Sequence, residues 1–129
     1  MILALKTDSM VAELYLVDAE GQEVVRDVWE AGRGLAKDLL SHIDLVVREN
    51  TNWQSIAGLI VYRGPGSFTS LRIGITTMNT ISYAQTIPIV GKEGDQWIKE
   101  GCRRLSADDS DRVVLPHYGA DPHITAPKK

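Results

Sequence analysis

The densest run of residues that could do chemistry is Gly64-Pro65-Gly66-Ser67, set between an apolar run and the start of a helical pattern. Free backbone N–H groups at a helix start, together with the helix dipole, can hold an anion at such a place. Arg72, about one turn in, is positioned either to assist or to face solvent. The same residues also make a tight turn with Ser67 as helix N-cap, an alternative that needs no ligand. Better-defined chemistries are excluded. A P-loop ends in Gly-Lys-Ser/Thr, and a dinucleotide loop needs three spaced glycines; neither pattern is here. A nucleophile elbow puts glycine two residues after its serine, where this chain has Thr69.

The remaining reactive residues are scattered. His42, His117 and His123 have no His-x-x-x-His partner, so no metal site is expected of them. Asp108, Asp109 and Asp111 look like an acidic linker, since a calcium loop needs more oxygen donors and a following glutamate. Cys102 is the only cysteine, which excludes an internal disulfide and a Cys-based zinc site. No catalytic constellation emerges.

These residues must be carried by one domain. A chain of 129 residues with 43% hydrophobic and 24% charged content can build a core without staples, burying roughly two-thirds of its unfolded surface. Its net charge of -3 argues against gripping nucleic acid alone, because phosphate neutralisation needs clustered positive charge. Lys6 and Asp8 interrupt the opening apolar segment, so no secretory signal is expected and a cytoplasmic location is. The stretch from Ile73 to Gly91 holds nineteen uncharged residues, but its threonines, Asn79, Gln85 and Pro88 exclude a membrane span.

The patterning predicts strands over 2–7, 11–17 and 23–30, joined by tight turns into an antiparallel meander. A helix follows over 34–49, a buried strand over 56–62, and a helix from Ser67 to about Gln85. A strand over 87–90, a helix over 93–105 and a last strand over 113–115 complete the series. The second helix is apolar on every side, so it is expected to pack against more than the sheet; the wide apolar arc of the first suits either a further contact or a core helix alone. The expected architecture is α/β: a mixed five-stranded sheet with helices on its faces, of the ribonuclease H-like, actin-like ATPase type. Residues 1–105 would form the lobe, and 106–129 a linker with an extended or loosely docked tail. Actin-like domains often keep an acidic metal-nucleotide ligand at the end of the first strand, where this chain has Lys6. Gly74 sits seven residues past Ser67, inside a helix, where glycine is costly; it implies close approach of another backbone, with the sheet favoured over a partner helix.

Taken together, Gly64-Pro65-Gly66-Ser67-Phe68-Thr69-Ser70-Leu71-Arg72-Ile73-Gly74 resembles the signature of the TsaB (YeaZ) family. That signature runs Gly-Pro-Gly-Ser-Phe-Thr-Gly-Leu-Arg-Ile-Gly, so ten of eleven positions match and Ser70 replaces a glycine. MILALKT is similar to the family's opening strand, LLSHI (39–43) to its Leu-Leu-Pro-x-Ile segment, and IPIVG (87–91) to its next strand. The ending VLPHYGADPHITAPKK is similar to the tails of some members. The chain departs from the pattern at Lys6, where aspartate is usual, at Leu35-Ala36 in place of His-Ser, and at Asn79-Thr80 in place of Lys-Gly. Members usually carry a second lobe, so the resemblance implies a reduced, single-lobe member.

The resemblance implies a non-catalytic scaffold or activator in making threonylcarbamoyladenosine on transfer RNA. It implies docking on a TsaD-like catalytic paralogue, a TsaE-like ATPase as further partner, a possible homodimer, and transfer RNA met only through the complex. No cofactor is implied for the chain itself beyond a possible ATP or ADP at a partner interface. The expected docking face is Leu35, Leu39, Ile43 and Val46 of the first helix with Met78, Ile81 and Ser82 of the second. The alternatives are a small actin-like nucleotide-binding hydrolase using the Gly64–Ser67 loop, and a self-associating structural protein.

Overall fold

The computed structural model describes residues 1–117. Strands β1 (Ile2–Lys6), β2 (Val11–Val17) and β3 (Glu23–Glu30) form the meander. Helix α1 (Leu35–Asn50) follows, then β4 (Gly58–Tyr62), α2 (Phe68–Gln85), β5 (Ile89–Lys92) and α3 (Trp97–Ser106). The sheet order is β3-β2-β1-β4-β5, antiparallel through β1 and parallel beyond it. This mixed five-stranded sheet is the expected α/β, ribonuclease H-like architecture.

Strand register divides the sheet into two faces. Leu3 and Leu5 of β1, Leu14 and Leu16 of β2, and Leu59 and Val61 of β4 share one face and are fully or almost fully buried. Helices α1 and α2 cover it. Ala4, Ile60 and Tyr62 share the other, where α3 lies so close that a methyl group at Gly101 would meet the Ile60 side chain at 2.7 Å. The sheet is therefore sandwiched, and the buried apolar strands β1 and β4 read as continuous hydrophobic runs for that reason. Outside the lobe's strands, His42 of α1 stacks on Trp29 of β3 at 3.7 Å, and its Nδ1 lies 2.7 Å from Asp27 Oδ2.

Several boundaries shift from the sequence expectation. Ile56 closes a short 3-10 turn, its N–H bonded to Trp53, so β4 starts at Gly58. The next strand runs over 89–92, because Ile87 N–H bonds back to Ser82 and Pro88 has no N–H to give. Residues 93–96 turn through Gly94 at φ +84, delaying α3 to Trp97. No strand forms over 113–115. Asn79 takes both the N–H and the carbonyl of Val114 with its side chain, and only Asp111 bridges to β5, at Ile89. Residues 111–117 are held on the lobe by these contacts, and the rest of the expected tail lies outside the described residues. Among the described residues no helix is long and apolar enough to cross a membrane.

The expected docking face is corrected by the packing. Leu35, Leu39, Ile43, Val46, Met78 and Ile81 all belong to the core, with Ile43 and Met78 at 0% exposure. Most of the wide apolar arc of α1 and most of the apolar surface of α2 are taken up by sheet and helix neighbours within one chain. The surface of α1 and α2 is made by other residues, among them Leu40, 58% exposed, and Tyr83, 90% exposed. Ile43→Ala should therefore lower unfolding free energy by roughly 2–5 kcal/mol. In the same urea titration, Leu40→Ala should change it by less than about 0.5 kcal/mol.

Candidate functional site

The glycine loop closes over the end of β1. Thr7, the one buried polar side chain of the described residues, is 1% exposed and donates its hydroxyl to the Ser70 carbonyl at 2.8 Å. One residue on, the Asp8 carbonyl accepts the Ser67 N–H at 2.8 Å. Two bonds thus fasten the first turn of α2 to the β1–β2 turn. Such closeness leaves no room for side chains. A methyl group at Gly66 would lie 2.6 Å from Asp8 Cβ, and one at Gly74 would overlap Thr7 Oγ1. Gly64 adopts φ +120, a conformation only glycine accepts readily, with the His117 carbonyl against it. Pro65 follows through a cis peptide bond.

This geometry shows what the loop's own groups bond to. The space a phosphate cradle would use beside Gly66 is filled by Asp8, backbone and Cβ alike. Ser67 is the N-cap residue by position, but its hydroxyl makes no cap bond; its N–H is spent on Asp8 and its carbonyl accepts from Leu71. Thr69 and Phe68 are exposed, Arg72 lies over the Phe68 ring at 5.4 Å, and Leu71 is buried. The glycines of the motif serve close packing.

The residues also do not fit the metal-nucleotide site that an actin-like lobe would hold. Lys6 ends β1, 4.0 Å from the Asp8 carboxylate and 4.5 Å from the centre of the Tyr62 ring. Among the described residues no three His, Cys, Asp or Glu side chains come together as metal ligands. His42 is taken up by Asp27 and Trp29, and His117 pairs with Glu93 at 3.0 Å, 3.4 Å from which lies Arg63 Nε. His123 lies outside the described residues. Cys102 is buried, and that burial pushes its thiol up.

On the α3 face, Trp97 meets Tyr15 and Tyr62 edge-on, at 6.3 and 5.8 Å. Tyr15 donates its hydroxyl to Glu13 at 2.6 Å. Burial and the Glu13 carboxylate push the phenol up from 10.0 to about 12. Because the neutral phenol is favoured in the fold, Tyr15 contributes stability that is complete below about pH 10 and lost as pH rises towards about 12. Tyr15→Phe should remove that part of the alkaline stability loss in melts taken across this range.

Sequence spacing found Gly64, Gly66 and Gly74 but not their partners. Thr7 looked like an ordinary strand residue, and Asn79 like a polar interruption of an apolar helix. The only advance signal was Gly74, whose cost inside a helix demanded a close neighbour. That neighbour lies on the sheet side as expected, but it is the Thr7 side chain just past β1 and not a backbone, and it leaves no room for alanine. Gly74→Ala should lower stability by roughly 1–3 kcal/mol through overpacking, read by chemical denaturation.

With the geometry in place, the chain can be set beside known proteins. The model of one family, TsaD: tRNA N6-adenosine threonylcarbamoyltransferase, matches residues 29–93, half of the chain, including the glycine loop and α2. YeaZ from Pseudomonas aeruginosa is 26% identical with a TM-score of 0.63, over 71% of this chain and 43% of that one. An uncharacterized protein with similarity to peptidase YEAZ, also from Pseudomonas aeruginosa, is 25% identical with a TM-score of 0.65, over 71% and 42%. The chain thus spans under half the length of these two structures. No curated protein matches it. The match of the family model and the shared fold together establish that the chain belongs to the TsaD family and is TsaB (YeaZ)-like within it.

Proposed function

We propose that the chain acts in threonylcarbamoyladenosine synthesis on transfer RNA as a non-catalytic scaffold that docks on a TsaD-like catalytic paralogue. The observation that carries this is the outward stripe of α1 and α2. On α2 no charged residue follows Arg72, and Tyr83 and Ala84 face solvent. Leu40 and Trp53 stand beside Thr80 and Ala84 around a groove of about 640 Å³, with Lys37 and Asp44 of α1 as its charged members. Solvated helix faces are normally charged, so a long uncharged one is suited to meeting another protein.

The glycine loop supports the same reading from the other side. The Ser67 N–H and the room beside Gly66 are taken up by Asp8, and Lys6 replaces an acidic residue where a metal-nucleotide would need one. The chain's contribution is then a rigid surface, with catalytic groups supplied by the paralogue and energy coupling by a TsaE-like ATPase. Transfer RNA is met through the complex, consistent with a net charge of -3.

Size-exclusion chromatography of this chain mixed with its cognate paralogue tests the proposal. The mixture should co-elute, and Leu40→Asp should abolish co-elution while leaving the melting temperature unchanged. Failure of the unmodified pair to co-elute overturns the proposal. Self-association lost in the same variant would assign the stripe to a second copy. ATP turnover by the purified chain, lost on Ser67 or Asp8 substitution, would move the assignment to a hydrolase.

A further inference from the structure

The edge of β5 is closed by a segment that has no secondary structure of its own. After α3 the chain reverses at Asp108, φ +59, and Asp111 then lies along β5. Its N–H donates to the Ile89 carbonyl and its Oδ2 accepts the Gly91 N–H, both at 2.8 Å. Arg104 of α3 grips the same carboxylate at 3.0 Å and the Gly91 carbonyl at 3.3 Å. Three residues on, Asn79 of α2 accepts the Val114 N–H at 2.9 Å and donates to its carbonyl at 3.0 Å. Val114 is 3% exposed and fills the space over Gly91, where a methyl group would lie 2.5 Å from its Cγ1. The His117 N–H donates to the Arg63 carbonyl at 2.6 Å, at the mouth of the glycine loop. Its neighbours Arg112, Val113 and Leu115 face solvent.

All of these bonds but that of Arg104 to the Gly91 carbonyl run from the segment to the rest of the lobe. Asp111, Val114 and His117 are anchors, and the residues between them are unheld. A backbone held this way satisfies the free groups of an edge strand without belonging to the sheet's cooperative ladder. The receiving side is built for an extended peptide. Asn79 presents a donor and an acceptor to the carbonyl and N–H of one residue, Arg104 and the Gly91 N–H take a carboxylate, and Gly91 leaves a pit for a β-branched side chain.

We propose that the β5 edge is a strand-addition site that the chain keeps filled with its own residues 111–117, and that the same segment of a second copy can take their place. The side-chain bonds of Asn79 and Arg104, with the one main-chain bond to Ile89, supply the affinity, and the spacing of an acidic residue three positions before valine supplies the selection. The tethered segment outcompetes a free one because of its high effective concentration. The site lies on β5, α2 and α3 and uses neither Leu40 nor Tyr83, so it stands apart from the docking stripe.

A labelled peptide of residues 107–117, titrated against full-length protein by fluorescence anisotropy, tests this. Val114→Asp should release the tethered segment and bind the peptide at least about tenfold more tightly than the unmodified chain does. Adding Asn79→Ala should abolish that binding. Equal affinity for the unmodified chain and Val114→Asp, or no binding to a Val114→Asp chain with native circular dichroism, overturns the proposal. Should Val114→Asp fail to fold, hydrogen exchange on the unmodified chain decides. The Gly91, Asp111 and Val114 amides should exchange at least about tenfold faster than that of Leu59. Exchange of all four only through global unfolding would mean that the segment is not releasable.

Discussion

The contact on which the structure most depends is the one between the end of β1 and the first two turns of α2. A buried threonine hydroxyl and a main-chain carbonyl hold the helix so close to the strand that Gly66 and Gly74 cannot bear a side chain. Burying the Thr7 hydroxyl without a partner would be costly, and the Ser70 carbonyl is placed to meet it. The helix in turn covers β1 and β4 and carries Asn79, which fixes Val114. Through this one junction the sheet, the helix layer and the returning segment are set in a common frame.

The same junction separates motif from chemistry. A glycine-rich turn between a buried strand and a helix has two physical uses: aiming N–H groups at an anion, or letting backbone approach backbone. Here the Ser67 N–H is bonded to Asp8 and the room beside Gly66 is occupied by Asp8. Close approach is therefore what the glycines provide. This is consistent with a TsaB-like member whose contribution is a surface, and it places the interest of the molecule on its helices and its sheet edges.

The two edges of the sheet are handled differently. β3 carries Glu23, Arg26, Asp27 and Glu30, and charge on an edge strand discourages unwanted pairing. β5 is only four residues long and largely buried, with no such charge until Lys92, and it is covered by the segment anchored at Asp111 and Val114. A short apolar edge strand needs a cover, and this chain supplies one without lengthening the sheet.

In the sequence by itself, local periodicity and a contiguous motif carried the series of elements as far as α3, the mixed sheet and the family, while the strand expected over 113–115 does not form. Strands β1 and β4 were legible from unbroken apolar runs, α1 from its stripe, and the loop from eleven consecutive residues. It also marked Gly74 as a position with a close neighbour, since the helical cost of glycine is a local quantity. Only the tertiary structure decided which apolar residues were core and which were surface. Leu39, Leu40 and Ile43 differ little in chemistry, and periodicity gives a helix a face without saying how wide a layer will cover it. The pairing of Thr7 with Ser70, of Asn79 with Val114, and of Asp111 with Arg104 and Gly91 was equally invisible. Apart from the Arg104–Asp111 ion pair, each joins a side chain to a backbone group across elements, and a backbone N–H or carbonyl carries no residue type from which its distant partner could be read.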